Sequence, residues 1–402
     1  MTWTDDMIAA SSTKTTTGGK DIKTLYKAIY LLNREPELVF QQFAQKQANT
    51  DMPLNKGDNI EYTRYAPLAT STTYNKLTEG ATPSGEVYYA QTVTASLEEY
   101  GNFVQPSSRL WLTAYDPKLG GLSRLLGVQA GKSLDLNIQS VIAKGFMGML
   151  ADGDTTESGE VNCTGGAVAL PTFTSLPGGI TTTTDLGVIV FTSGKNEGIT
   201  RTFAGASSTS LTVAALPHVP TSGDKARVCG TVNLATGDKI TAALIKKAVA
   251  LLEAQETPLF PDGYYHGVIP AGAMKYDFMN DTEYINLKHY AAPKDLYRNL
   301  VGEFCNVRFH KDTHPYKHIP GAIATYSVAA TSTVQMVSIF GSDAFGNVKL
   351  AGKDQVFEVC PPEFTTTNPL AMYGTMSWKN VYAPLVLNGA WGVNIFAIPT
   401  VL

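Results

Sequence analysis

From residue 21 the apolar positions Leu25, Ile29 and Leu32 recur at spacings of four and three, which predicts an amphipathic helix. After Pro36, the residues Leu38, Val39 and Phe43 continue the pattern as a second short helix. These helices read equally as ordinary core elements or as an arm that docks on a neighbour. The first 20 residues, rich in Thr, Ser and Gly, lack apolar periodicity and predict a flexible arm. From Lys56 the period switches to two. Asn59-Ile60-Glu61-Tyr62-Thr63-Arg64-Tyr65 reads as a strand. So does 86–97, where Val87, Tyr89, Gln91, Val93, Ala95 and Leu97 alternate with Tyr88, Ala90, Thr92, Thr94 and Ser96. About twenty residues of turn-forming sequence separate the two runs, an odd length for a hairpin inside a compact domain. Such a loop is either disordered or reaches out to grip something else.

Asp116-Pro117 then opens a long helical stretch, with the proline suited to a first turn. Leu122, Leu125, Leu126, Leu134, Ile138, Val141, Ile142, Phe146 and Met149 keep roughly helical spacing up to Leu150, despite Gly127, Gly131, Gly145 and Gly148. A helix on the order of 45 Å long would serve as the spine of an elongated subunit. Residues 151–235 change character: short β-type runs at 188–192, 199–203, 211–214 and 226–232 alternate with Gly, Ser and Thr turns. They predict a small β-sandwich or barrel inserted between two helices. Asp238 is read as the cap of the next helix, with Ile240, Leu244, Ala248, Leu251 and Leu252 on one face. Further on, 267–270 predicts a buried strand running into a helix at 271–280, 302–309 another strand, and the tail from Met372 a run of strands. The class is α+β, and no internal repeat is visible.

Composition sharpens this. Charged residues make up 16% of the chain, against roughly 25% in an average soluble protein. Thr, Ser, Gly and Tyr fill the gap, a surface suited to being covered by copies of itself. A net charge of -4 with no Lys/Arg block argues against tight nucleic-acid binding, while a mildly acidic wall suits a DNA container. Cys163, Cys229, Cys305 and Cys360 are scattered and read as reduced thiols, with a Cys163–Cys229 bridge as the alternative. No signal-peptide pattern opens the chain, and no apolar run approaches a membrane span. A soluble protein that stays in the cell making it is expected.

Chemistry is sparse. No nucleophile elbow, phosphate loop, dinucleotide fingerprint or paired-histidine zinc helix occurs. His310, His314 and His318 would align on a helix face around Asp312, but Pro315 breaks such a helix, so a polar surface loop is expected in place of a metal site. Asp5–Asp6 falls in the arm, and strand alternation puts Glu98 and Glu99 on opposite faces, wrong for acid/base work. The chain is expected not to be an enzyme and to need no cofactor or metal. A β-rich adhesin or sugar binder is a rival, weakened because Trp3, Trp111, Trp378 and Trp391 all avoid 151–235.

The order of elements resembles the major capsid proteins of tailed phages, the Hong Kong 97 fold, and is most similar to the subgroup of coliphage N-four. The residues that carry the resemblance are Lys56-Gly57-Asp58-Asn59-Ile60, Leu77-Thr78-Glu79-Gly80 and Leu97-Glu98-Glu99-Tyr100-Gly101. Gly302-Glu303-Phe304, Tyr373-Gly374 and Ser377-Trp378-Lys379 complete the series. The resemblance implies an arm with helices at 1–55 and an extended loop (E-loop) at 56–105. It further implies a peripheral domain with its spine helix at 106–150, the inserted β-domain at 151–235, an axial domain at 236–370, and returning strands at 371–402. It implies pentamers and hexamers closing an icosahedral shell around double-stranded DNA, held without sequence-specific contacts, in a virion assembled in the host cytoplasm. Decoration, portal and scaffolding proteins are the other implied partners; no membrane is. Tyr74, Lys76, Leu77, Glu79, Tyr88 and Tyr89 are the implied contacts between subunits. Some members weld subunits by a Lys–Asn bond, and Lys76 lies in the corresponding loop. No match supplies the acceptor Asn or the catalytic carboxylate, so uncrosslinked subunits are expected. Met1 is present, so removal of a scaffolding segment is not indicated. An encapsulin-type compartment shares the fold and is the alternative, though such chains are generally shorter and lack so large an insertion.

Overall fold

The computed structural model describes residues 18–45, 51–52, 57–68, 77–82, 85–113, 118–151, 158–177, 180, 187–230, 234, 237–291, 302–318, 334–351, 356–364, 366 and 368–400. Of the arm expected at 1–20, residues 1–17 lie outside the described residues, as do Asp116-Pro117, Tyr74 and Lys76, while 18–20 already belong to a helix.

The first periodic segment forms helix α1 (Gly18–Arg34). The second helix expected after Pro36 is only a pair of 3-10 turns, Glu35–Glu37 and Gln41–Phe43, since proline removes an amide donor where the helix would have to continue. After β1 (Asp51–Met52), the first alternating run becomes β2 (Asn59–Tyr65), and the second becomes β3 (Ala90–Ser96), which starts four residues later than expected because β2, its ladder partner, ends at Tyr65. They pair antiparallel, in register from Asn59↔Ser96 to Tyr65↔Ala90. Strand β4 (Glu98–Val104) and the short helix α2 (Ser108–Thr113) lead to the spine, α3 (Lys118–Ala143).

At 26 residues the spine is about 39 Å long and ends before the expected position. After the turn at Lys144–Gly145 the chain runs as β5 (Met147–Leu150), buried on both faces. An all-apolar run such as Phe146–Leu150 has no polar side to reveal its period, so the pattern could not separate helix from strand. The spine glycines have a function of their own: a Cβ on Gly127 would stand 2.5 Å from the Tyr30 carbonyl, and one on Gly131 2.7 Å from that of Arg34. They let α1 and α3 cross backbone to backbone.

The insertion follows as β6 (Ser158–Ala167), β7 (Leu170–Phe173), β8 (Gly187–Phe191), β9 (Thr200–Ala206), β10 (Leu211–Val213) and β11 (Lys225–Cys229). Their order is β10-β9-β8-β11-β6-β7. The two edge strands meet: Thr172 bridges Ser210, the Phe173 amide donates to the Thr209 carbonyl at 2.7 Å, and that of Val213 to Ala169 at 3.1 Å. The sheet is thus a closed barrel around Phe173, Ile189, Phe191, Phe203, Leu211 and Val228. Its β6 and β7, rich in Thr, Gly and Asn, gave no apolar alternation to read. Val188 and Val190 point the other way, into the main core, so β8 is buried on both faces and fastens barrel to body.

Helix α4 (Ala242–Ala254) is capped by Thr241, whose hydroxyl accepts from the Leu244 amide, and not by Asp238 as the sequence suggested. Strand β12 (Tyr265–Pro270) runs into an irregular helix, a π-type turn over Ala273–Asp277 and a 3-10 turn over Phe278–Asn280, then α5 (Thr282–Ala291). The single strand expected at 302–309 is a hairpin, β13 (Glu303–Phe304) and β14 (Val307–Asp312). Cys305 and Asn306, at φ 48° and 62°, form its left-handed two-residue turn. The rest is β15 (Lys317–His318), β16 (Val334–Phe340), β17 (Phe345–Leu350), β18 (Val356–Cys360), β19 (Thr375–Val386) and β20 (Gly392–Ala397).

The central sheet, β13-β14-β12-β16-β20-β5, is covered on both faces. On one side Met149, Ile269, Ile339 and Ile395 pack on α4; on the other Phe146, Val268, Phe340 and Phe396 pack on the spine and Phe40. A second sheet, built on β19 with β17, β18 and β4, rests on α1 and α3 through Tyr30, Leu126, Phe357 and Trp378. All four cysteines are free, with Cys163 in the barrel core and Cys229 in the central one.

Candidate inter-subunit surface

The apolar contacts of the hairpin β2–β3 with the body lie at its base. There Ile60, Tyr62, Val93 and Ala95 meet Val348, Ala383 and Leu385 of the second sheet. Beyond the base its large apolar side chains face solvent: Tyr65, Leu68, Leu77, Val87 and Tyr88 are each more than half exposed, Leu77 at 72%. A soluble monomer rarely displays such a cluster on one projection. Tyr65 and Tyr88 contact edge to face at 5.8 Å between ring centres, holding the rings clear of the strands.

Of the contacts implied by resemblance, Leu77, Glu79 and Tyr88 are exposed, whereas Tyr89 is half-buried. Its ring lies under the Lys195 ammonium at 4.9 Å and edge-on to His218 at 5.3 Å, both in the barrel. The exposure of Tyr65, Leu68 and Val87 is not legible in the sequence, because strand alternation says which residues share a face and not which face is covered.

A second group of exposed apolar side chains occurs where β18 gives way to β19. Phe364, Leu370 and Met372 lie in that connection, 59–80% exposed, and Phe103 on β4 stands opposite Ser377 at the start of β19. Glu98 and Glu99 diverge as expected, to the Tyr100 hydroxyl at 2.5 Å and the Lys379 ammonium at 2.7 Å.

The histidine-rich segment is not a surface loop. His310 lies on β14, which runs parallel to β12, and its Nε2 meets Nδ1 of His266 at 2.8 Å. Phe43 covers both rings at 4.7 Å. Burial, then the neighbouring His266, pushes the His310 imidazole down to about 4, favouring its neutral form. His314 turns away to Glu37 at 3.4 Å, and the side chain of His318 lies outside the described residues. Among the described residues no three His, Cys, Asp or Glu side chains are grouped to hold a metal.

Two residues beyond His310, Asp312 joins a buried acid pair. Gln139 on the spine donates from Nε2 to Asp135 at 2.8 Å and to Asp312 at 2.9 Å, while its Oε1 accepts from the Tyr316 amide at 2.6 Å. Asp135 also accepts from the Phe40 amide at 2.9 Å. Gln139 and Asp135 together thus tie spine, central sheet and the 38–45 segment. Burial raises the Asp135 carboxyl to about 7, outweighing the hydrogen bonds that lower it. In the unfolded chain the same group titrates near 3.8, so the fold holds the proton more tightly. Stability from this group is therefore full below about 4 and falls as pH rises towards about 7. Thermal unfolding of the subunit from pH 5 to 8 should show that loss, and Asp135→Asn should flatten it. An unchanged slope in the variant would refute the assignment.

No protein-family model matches the chain, and no curated protein matches it by sequence. Solved structures do. A chain of the cyanophage Pam1 capsid superposes with a TM-score of 0.54 at 12% identity, covering 91% of this chain and 92% of that one. One from the acidic-stable capsid of Helicobacter pylori bacteriophage KHP30 gives 0.52 at 9%, covering 89% and 91%. The capsid of cyanophage P-SCSP1u gives 0.50 at 13%, covering 90% and 94%. At such identities the likeness establishes architecture: the chain has the α+β Hong Kong 97-type capsid fold.

Proposed function

We propose that this chain is the major capsid protein of a tailed phage, closing as pentamers and hexamers into an icosahedral shell around double-stranded DNA. One observation carries the reading: on a body whose fold matches capsid chains over nine-tenths of its length, the hairpin projects five large apolar side chains that stay more than half exposed among the described residues. A second copy is the natural cover, because a contact between a projection and a different patch repeats around a ring. Phe103, Phe364, Leu370 and Met372 supply an apolar receiving patch. Residues 56–105 are then the E-loop, 106–150 the peripheral spine and 236–370 the axial domain. The motif order favours the N-four-like subgroup, and assembly would take place in the host cytoplasm with scaffolding, portal and decoration partners. DNA is enclosed and not read, consistent with a net charge of -4. Negative-stain microscopy of the purified chain should show shells, rings or tubes. A strict monomer at every concentration would overturn the proposal, and empty shells where DNA is offered for packaging would favour a nanocompartment.

A further inference from the structure

The barrel grips the hairpin from the side. Arg64 of β2 and Gln91 of β3 are partners in the ladder and lie at the outer end of the face whose inner members, Ile60, Tyr62, Val93 and Ala95, are chiefly apolar. Both reach out of the hairpin. The Arg64 guanidinium donates to the Leu387 carbonyl at 3.3 Å and to the Glu197 carbonyl in the barrel loop at 193–198. Gln91, fully buried, donates from Nε2 to the Lys195 carbonyl of the same loop at 2.6 Å. From the barrel loop between β10 and β11 the His218 ring meets the Ala90 carbonyl through Nε2 at 2.9 Å.

The two loops form one unit. Asn196, buried completely, donates to the His218 carbonyl at 2.8 Å and accepts from the His218 amide at 3.1 Å. Gly198 has φ +73°, and any Cβ there would fall on the Arg64 guanidinium and the Asn388 side chain, so glycine is what lets the cation approach. The barrel in turn is fixed to the body where the Gly389 amide donates to Gly198 at 3.0 Å and the Thr200 hydroxyl to Gly145 at 2.6 Å.

A two-stranded ribbon alone is marginally stable, and the small apolar cluster at its base is non-directional. Hydrogen bonds to fixed carbonyls are directional. We infer that the inserted barrel is a clasp whose two loops set the angle at which the hairpin leaves the body. In the proposed shell, on which this consequence rests, that angle decides where on the next copy the hairpin lands.

The clasp can be tested with or without assembly. In the full chain, Arg64→Ala combined with His218→Ala should speed amide exchange in 59–65 and 90–96 by about tenfold or more. The barrel strands at 187–191 and 225–229 should keep their protection. Lys225→Ala, which removes a surface pair with Glu160 at 2.7 Å on the same barrel, should leave the hairpin unchanged. Particles of the double variant should lose their uniform diameter. Unchanged hairpin exchange overturns the clasp, and faster exchange with particles of wild-type diameter overturns its control of direction. If the wild-type chain forms no particles, the shell reading fails while exchange still decides the clasp.

Discussion

Deleting residues 71–84 should leave a folded subunit that forms no shells. The ladder from Asn59↔Ser96 to Tyr65↔Ala90 and the apolar base survive the deletion, and the remaining residues can still join two adjacent strand ends. The melting temperature should therefore move by only a few degrees, about what a surface change of 1 kcal/mol produces. What is lost is reach, together with Leu77 and Glu79. A fully buried leucine contributes roughly 1.5–3 kcal/mol at a contact, and in a closed shell the same contact recurs for every copy. Weakening each by that amount multiplies, so assembly should drop below detection while the monomer persists. Size-exclusion chromatography with circular dichroism checks both halves. Normal shells would remove the hairpin from the assembly mechanism; an unfolded subunit would mean the loop belongs to the fold.

The second large effect lies inside the subunit. Gly127→Leu should cost about 3 kcal/mol or more, because the new side chain meets backbone and not a movable neighbour. A Cβ alone would be 2.5 Å from the Tyr30 carbonyl oxygen and 3.3 Å from the Tyr30 Cα. Relief requires α1 to withdraw from the spine, uncovering Tyr30 and its stacking partner Phe357 at 4.6 Å. At Gly121, on the same helix, a Cβ would meet nothing within 4 Å, so Gly121→Ala should stabilise by roughly 0.5–1 kcal/mol through helix propensity. Chemical denaturation of both variants tests the contrast. Equal effects at the two positions would show that the crossing does not set the cost.

Where one face of an element meets water, its period was readable. The alternation at 59–65 and in most of 86–97, the helical spacing in α1 and α4, and the compositional break around the insertion all became elements near their expected places. The pairing of the two runs was legible from their alternation, and their connection stood out because it is too long for a turn. Which of the hairpin's side chains stay uncovered was not legible: Tyr89 and Tyr88 are neighbours in sequence, yet one faces the barrel and the other solvent. The His310 region misled for the opposite reason. Polar residues suggested a surface loop, while His310 lies on a strand and Phe43, distant in sequence, packs against its imidazole.

The change of period from helical to alternating after residue 56 was settled by the sequence itself, because backbone geometry ties side-chain direction to local spacing. The same holds for the α+β class and the excess of uncharged surface. Tertiary structure alone decided that the run after residue 145 is a strand, that the inserted strands close into a barrel, and that two glycines bring α1 onto the spine. It alone decided that the barrel holds the hairpin. Each of these depends on a partner far along the chain, and a residue's own neighbours in sequence carry no record of what will lie across from it.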